Sequence, residues 1–346
     1  MSKRITIKDV AAQAGTSAAT VSYVLNNVQD RYITPKVRKN VIAAAEDLGY
    51  VKSLAASRLK GKKMGVIAFL TPQLTNHFFL EIFFAIEKIA NKKGYVLSVC
   101  NTYDDPELEK SVIDRLNQLW IDACLIIPTH KGKENATYLR NHGIPFVSIE
   151  RPLEGFSDYD LISSDNFGAA YQMTSHMISM GHKRIALVYW NSLILNLDER
   201  LLGYQKALLD HGIAFDEKLV FQTKSVDLKA GESHDEGWHL TEKIVQDSSI
   251  TAIFYSQYVL AEGGVRYLHS IKYAIPEDIS VGVLGGPKWV TMAEKPFTFV
   301  SQPGTAMGNL AAETIFNRID KQGDSFLNKK LPCKLNLGES IKDISK

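Results

Sequence analysis

Nine histidines, three cysteines and 38 aspartates and glutamates are the chain's candidates for metal or acid–base chemistry, and their spacing argues against both. His234 and His239, amid Glu232, Asp235 and Glu236, form the best metal-ligand cluster. Their separation of five residues puts them off a common helical face, so a solvated charged turn is the expected reading. Cys100, Cys124 and Cys333 lie far apart, two of them within apolar runs. They read as buried thiols in a reducing compartment, not as metal ligands or a disulfide framework. Gly61-Lys62-Lys63 lacks the upstream glycine and the following Ser or Thr of a phosphate loop, and no Gly-x-Ser-x-Gly occurs. No catalytic residue, metal or cofactor is expected, and the chain does not read as an enzyme.

The richer chemistry is hydrogen bonding, gathered near the start. Ile5 to Asn27 reads ITIKDVAAQAGTSAATVSYVLNN. Thr6 caps a first helix on which Ile7, Val10, Ala11 and Ala14 recur at three- and four-residue spacing as one apolar stripe. Gly15 gives the backbone freedom for a sharp turn, and Ser17 caps a second helix starting at Ala18. There Val21, Val24 and Leu25 share a face, while Ala18, Ala19, Ser22 and Tyr23 point elsewhere. Two short helices joined by a glycine turn make a helix-turn-helix, whose second helix suits the DNA major groove. Thr34-Pro35 then starts a third helix with Val37, Val41, Ala45 and Leu48 on one face, and Gly49 stops it.

That order, TIKDVAxxAGxSxATVSxVLNN followed by ITPKVRKNVIAAAEDLGY, resembles the DNA-binding headpiece of the lactose-repressor (galactose-repressor) family of bacterial transcription regulators. The resemblance implies base readout by Ala18, Ala19 and Tyr23. Relatives often carry arginine where Tyr23 stands, so the preferred operator should depart from the family's at that base. Thr6, Ser17, Thr20, Ser22, Asn26, Tyr32, Thr34 and Lys36 are the candidates for phosphate contacts, which position without specifying. The next stretch, VKSLAASRLKGKK, permits a short helix after a Ser53 cap. By resemblance it is a hinge helix that orders on operator DNA, with Ala56 and Leu59 at the minor groove and the leucine as wedge. From Leu59 to Gly65 the chain is about three residues shorter than the family's usual spacing, and Lys52-Ser53 replaces its proline-asparagine.

Charge divides along the same line. Residues 1–63 hold 12 lysines and arginines against four acidic residues, a net charge of +8. The remainder carries 28 basic and 34 acidic residues, a net of −6, although the whole chain stands at +2. A basic head on a mildly acidic body is the footprint of a nucleic-acid reader with a separate sensing module. At 346 residues the chain is too long for one ordinary domain, and its 45% apolar content allows sizeable cores. No run approaches about twenty apolar residues, so a soluble, cytoplasmic protein is expected.

From Met64 onward strands alternate with helices: MGVIAFL, YVLSVCNT, ACLIIP and PFVSIE form one series, and DLISSDN opens a second through RIALVYW, KLVFQT, AIFYS and ISVGVLG. Alternation of this kind means doubly wound parallel sheets, and two series mean two lobes with a cleft between. The expected fold is an all-α helix-turn-helix headpiece (1–49), a hinge or linker (50–63) and an α/β body (64–346). The body is similar to the periplasmic-binding-protein-like sensor of the same family, through stretches such as SSDNFGAAYQMTSHMISMGHKRIALV, ERLLGYQKAL, PEDISV and VSQPGTAMGNLAAETI. That similarity puts the first lobe at about 64–156 and 303–322 and the second at about 157–302 and 323–346.

The resemblance also implies a small-molecule effector in the cleft, a sugar or related metabolite. Arg200 matches an arginine that contacts the ligand in relatives, and Asp165 matches a common pocket position, though it also suits a helix cap. Phe78 and Phe79 follow the place of the family's Asn-Pro-Phe-Phe, with His77 in place of the proline. Gly285 and Gly286 stand where sugar-binding relatives carry acids, and Gln257-Tyr258 replaces their Asn-Asp. The site should therefore be more neutral and aromatic, with Tyr189, Trp190, Tyr255, Tyr258 and Trp289 as candidates and Gln302 beside them. An alternative controller is a phosphocarrier-type corepressor protein docking on the body. A homodimer on a palindromic operator is expected, and without a C-terminal leucine heptad no tetramer.

Overall fold

The computed structural model describes residues 5–26, 28, 31–50, 63–190, 195–223, 233–323 and 325–345, the side chains of 195–197, 233 and 234 excepted. It divides into two compact units, Met1–Met64 and Gly65–Lys346. Ala56 and Leu59, and the hinge helix expected around them, lie outside the described residues, as do Glu232 and the side chain of His234.

Among its described residues the first unit holds three helices, Ile7–Gln13, Ala18–Leu25 and Pro35–Asp47. Each start is fixed by its own sequence. The Asp9 carboxylate accepts from the Thr6 backbone N–H at 2.7 Å and from the Thr6 hydroxyl at 2.6 Å. Ser17 Oγ accepts from the Thr20 N–H at 3.1 Å, and Thr34 Oγ1 from the Val37 N–H at 3.4 Å just ahead of Pro35. Gly15, at φ +63°, makes the turn that an L side chain would strain. Val10, Ala11, Val21, Val24, Val41, Ala44 and Ala45 close a small core, with Ile7, Val37 and Leu48 packed at its edge.

Among its described residues the second unit carries two six-stranded sheets. Its strands are β1 (Val66–Thr71), β2 (Val96–Asn101), β3 (Ala123–Ile126), β4 (Phe146–Ile149), β5 (Asp160–Ser164), β6 (Ile185–Tyr189), β7 (Val220–Gln222), β8 (Ala252–Tyr255), β9 (Ser280–Leu284), β10 (Thr298–Ser301), β11 (Asn328–Leu331) and β12 (Lys334–Asn336). One sheet runs β11-β5-β4-β3-β1-β2, all parallel. The other runs β12-β10-β9-β8-β6-β7, parallel except for the antiparallel β10–β12 edge. Apolar clusters flank both sheets, because strands covered on two faces read as continuous hydrophobic runs.

Two elements fall elsewhere than the sequence suggested. Asp160–Ser164, read as the opening of the second series, pairs with β4 in the first sheet, and β11, expected with the second lobe, pairs with it there. The connection from β4 to β5 contains no helix, which made it resemble a passage between lobes. Instead Leu153, Phe156 and Tyr159 fold back onto Phe146 and cover the sheet as a helix would. Asp160, almost wholly buried, then receives two bonds from Arg318 on the helix Gly304–Ile319, at 2.7 and 2.8 Å. The chain thus passes between lobes after β5, after β10 and after β11.

Candidate functional site

In the headpiece, the sequence-predicted readers Ala19 and Tyr23 lie outside the core, whereas Ala18 packs against it. Ala19 is exposed, while Ala18 and Tyr23 are half-buried. The Arg31 guanidinium lies over the Tyr23 ring, 5.9 Å from its centroid. Several predicted phosphate-contact groups also serve the fold. Ser17 and Thr34 cap helices, Thr20 Oγ1 shares a hydrogen bond with Ser17 Oγ at 2.9 Å, and Asn26 Nδ2 donates to the Ser22 carbonyl at 2.8 Å. Thr6, Tyr32 and Lys36 are exposed; Tyr32, at 93%, is nearly free of the headpiece.

In the body, a cleft lies between the lobes and is lined by residues of both. Its walls are the carboxyl ends of strands, where doubly wound folds place ligands. From the first lobe come Gln73, Asn76, Phe78 and Phe79 after β1, Asp104 after β2, and Glu150 and Arg151 after β4. Opposite them stand Trp190 after β6, Arg200, the run Gln257–Val259 after β8, Leu284 and Gln302.

A buried polar network joins the walls. Glu150, held at φ +64°, accepts from the Ser164 backbone N–H at 2.9 Å, the Ser164 hydroxyl and Asn166 Nδ2 at 2.9 Å. Gln302 reaches across from the other lobe to Glu150 at 3.2 Å and Ser164 Oγ at 3.0 Å. Arg200, only 5% exposed, donates through Nε to Asn166 Oδ1 at 2.8 Å and through Nη1 to the Ser256 carbonyl at 2.5 Å. Burial lowers the Arg200 pKa and the charge of Glu150 opposes that, so the guanidinium remains a fixed cation beside the cavity. A left-handed backbone at a buried glutamate is strain of the sort that clusters at binding sites.

Arg151 is paired with Asp104 at 2.7 Å and donates to the Pro128 carbonyl at 3.0 Å. That loop is anchored by Glu109, fully buried, which accepts from the Thr129 N–H at 2.8 Å and from Asn135 at 2.6 Å. Burial raises the Glu109 pKa. The opposing pairs leave the cleft with two guanidiniums and two carboxylates, close to neutral overall. Across the cleft, the Tyr258 hydroxyl accepts from the His77 N–H at 3.0 Å, its own pKa pushed up to about 12, chiefly by burial.

Of the sequence-predicted effector residues, the structure gathers Phe78, Phe79, Trp190, Arg200, Gln257, Tyr258 and Gln302 around the cavity. The other candidates are placed elsewhere. Asp165 caps the helix Asn166–Ser179, accepting from the Gly168 N–H at 2.8 Å. Tyr189 donates its hydroxyl to Asp198 at 2.6 Å. Tyr255 is fully buried in the core with its hydroxyl 2.7 Å from Thr241 Oγ1, because β8 alternates and this ring points behind the sheet. Gly285 stands behind Tyr258: at φ +107°, a Cβ there would lie 2.9 Å from the Tyr258 ring. A Cβ on Gly286 would meet the Phe299 ring at 2.5 Å. Trp289 donates to Glu262 at 2.7 Å, outside the cavity. Sequence reasoning missed Gln73, Asn76, Asp104, Glu150 and Arg151. Their only signal was position, directly after predicted strands. Among the described residues no group of three His, Cys, Asp or Glu side chains is placed to hold a metal.

A family profile described as "Bacterial regulatory proteins, lacI family" matches residues 6–53, and one described as "Periplasmic binding proteins and sugar binding domain of LacI family" matches residues 64–337. The chain is 28% identical over 310 residues to the HTH-type transcriptional regulator DegA of Bacillus subtilis, covering 88% of each chain. It is 27% identical over 338 residues to the ribose operon repressor of Halalkalibacterium halodurans, covering 97% of each. Among solved structures, the transcriptional regulator CelR–cellobiose complex is similar with a TM-score of 0.71 and 25% identity, over 97% of this chain and all of that one. A LacI family regulator from Enterococcus faecium with bound ribose is similar with a TM-score of 0.71 and 27% identity, over 81% of this chain and 99% of that one.

Proposed function

Because this chain belongs to the LacI family and is a DNA-binding transcriptional repressor, not an enzyme, we propose that it acts in the cytoplasm as a homodimer on a palindromic operator, controlled by a small-molecule effector in the interlobe cleft. One headpiece offers a short reading helix, and pairing two by a twofold axis supplies the affinity that a single helix lacks. Among the described residues no helix is long and apolar enough to cross a membrane, which is consistent with that location.

The observation that carries the effector reading is the buried Arg200 set beside Glu150 at the wall of a cavity faced by Phe78, Phe79, Trp190 and Tyr258. Its charges nearly balance, its amides (Gln73, Asn76, Gln257, Gln302) offer donors and acceptors, and its rings offer flat faces. These features suit an uncharged, hydroxyl-rich ring, whose polar edge takes hydrogen bonds while its apolar face stacks. The cellobiose and ribose in the two similar structures favour the same class. Gln302–Glu150 and Tyr258–His77 span the lobes, so a ligand that alters their spacing changes the arrangement passed toward the headpieces. Linkage requires only that it bind the two arrangements unequally.

A thermal-shift screen of the full chain against mono- and disaccharides, sugar phosphates, nucleobases and small acids tests this. A ligand at about a hundred times its dissociation constant should stabilise the fold by roughly 2.7 kcal/mol. The sugar class should give the hit, and Arg200→Ala should abolish it. Silence from every small molecule, with operator still bound, would contradict the cleft reading and point to a protein corepressor.

A further inference from the structure

The recognition helix is uncharged from end to end, and so is the whole stretch from Ala14 to Asn27. Outside the headpiece core it offers the methyl of Ala19 and the single hydroxyls of Thr20, Ser22 and Tyr23, while Ala18 packs against the core. None of these makes the two-pronged contact by which a side chain singles out one base pair in the major groove. Beside this face lies a cation from outside the helix. The Arg31 side chain is exposed, pairs with no carboxylate among the described residues, and places its guanidinium over the Tyr23 ring at 5.9 Å.

Stacking on an aromatic face fixes the plane of a guanidinium while leaving its N–H edge free, and that edge matches the O6 and N7 acceptors of guanine. We propose that Arg31, laid over Tyr23, is a specificity-determining residue of the headpiece, carrying a guanine-reading fork to a helix that has none of its own. Tyr23 then acts as a platform: its ring, not its hydroxyl, is what the contact needs. This rests on the assignment of Ala18–Leu25 as the DNA-reading helix.

The test uses the full chain. An operator is selected from a random duplex library with the unaltered protein. Binding of each variant is then measured against that operator and against every single-base-pair change in it. Arg31→Ala and Arg31→Lys should each lose roughly 5- to 150-fold of discrimination at one G·C pair, with discrimination elsewhere kept. The retained positions also report that the headpiece is folded. Tyr23→Phe should behave as the parent at that pair and Tyr23→Leu as Arg31→Ala, with the double variant no worse than either alone. If Arg31→Ala instead weakens all sequences alike and flattens the salt dependence by about one unit, Arg31 holds a phosphate and the proposal is overturned. Unchanged discrimination in Arg31→Ala overturns it equally. Failure of the parent protein to select any sequence would overturn the headpiece assignment itself, and this proposal with it.

Discussion

The headpiece and the cleft hold their functional groups in opposite ways. In the headpiece each helix is started by a residue within three positions of the group it pairs with: Thr6 with Asp9, Ser17 with Thr20, Thr34 with Val37. Its core is seven small or β-branched residues, and its readers are set by local geometry. In the cleft, Glu150 meets Gln302 and His77 meets Tyr258 across more than a hundred residues of sequence, and within the first lobe Asp160 meets Arg318 at a similar separation. Two separate sheets, each with its own apolar clusters, hold those groups. Local caps are separable and individually modest, whereas cross-lobe contacts share partners and fail together.

The largest expected effect strikes the long-range region. Asp160→Ala leaves the Arg318 guanidinium without its bidentate partner and should cost the body about 3–5 kcal/mol, read as a lowered urea midpoint. Gly285→Asp forces a side chain at φ +107° into the Tyr258 ring and should cost roughly 1–3 kcal/mol. It should also remove any thermal shift given by the effector, because Tyr258 cannot keep its place. Tyr258→Phe deletes only the hydroxyl that accepts from His77, so about 0.5–1.5 kcal/mol is expected, with effector affinity altered severalfold. By contrast, Thr34→Ala removes one cap, costs about 1 kcal/mol and should weaken operator binding while the body's unfolding is unchanged. A body transition that moved with Thr34→Ala would break the comparison.

The smallest effect is a pH dependence. His182 is buried, with one ring nitrogen 2.9 Å from Thr251 Oγ1 and the other donating to the Lys342 carbonyl at 3.0 Å. Burial, the larger influence, lowers its pKa below the usual 6.5. The unfolded chain therefore takes up its proton first, so stability is full above about pH 6.5 and declines as pH falls through that value. His182→Gln should flatten that decline in urea melts.

How much was legible follows the same divide. Thr6, Gly15, Ser17 and Thr34-Pro35 announce their helices within a few residues, so the headpiece reads directly from the chain. The alternation from Met64 announces two parallel sheets, but not the sheet to which Asp160–Ser164 belongs. That was decided by Phe146, Phe156 and Tyr159 covering the strand in place of a helix. Arg200, Trp190 and Tyr258 line the cavity, whereas Tyr255 is turned into the core, where its hydroxyl meets the buried Thr241 14 residues earlier in the chain. Glu150 and Arg151 gave no signal beyond their position at a strand end, since their roles come from Ser164, Asn166, Gln302 and Asp104.

The central claim is that occupancy of the cleft sets the affinity of the headpieces for DNA. It is tested most directly by measuring operator binding by fluorescence anisotropy, at fixed salt, while titrating the sugar identified by thermal shift, with the parent chain and Arg200→Ala side by side. Operator Kd should change by roughly 5- to 150-fold in the parent and not at all in Arg200→Ala. An operator Kd that stays constant in the parent as the cleft fills, or that shifts equally in both proteins, would contradict it.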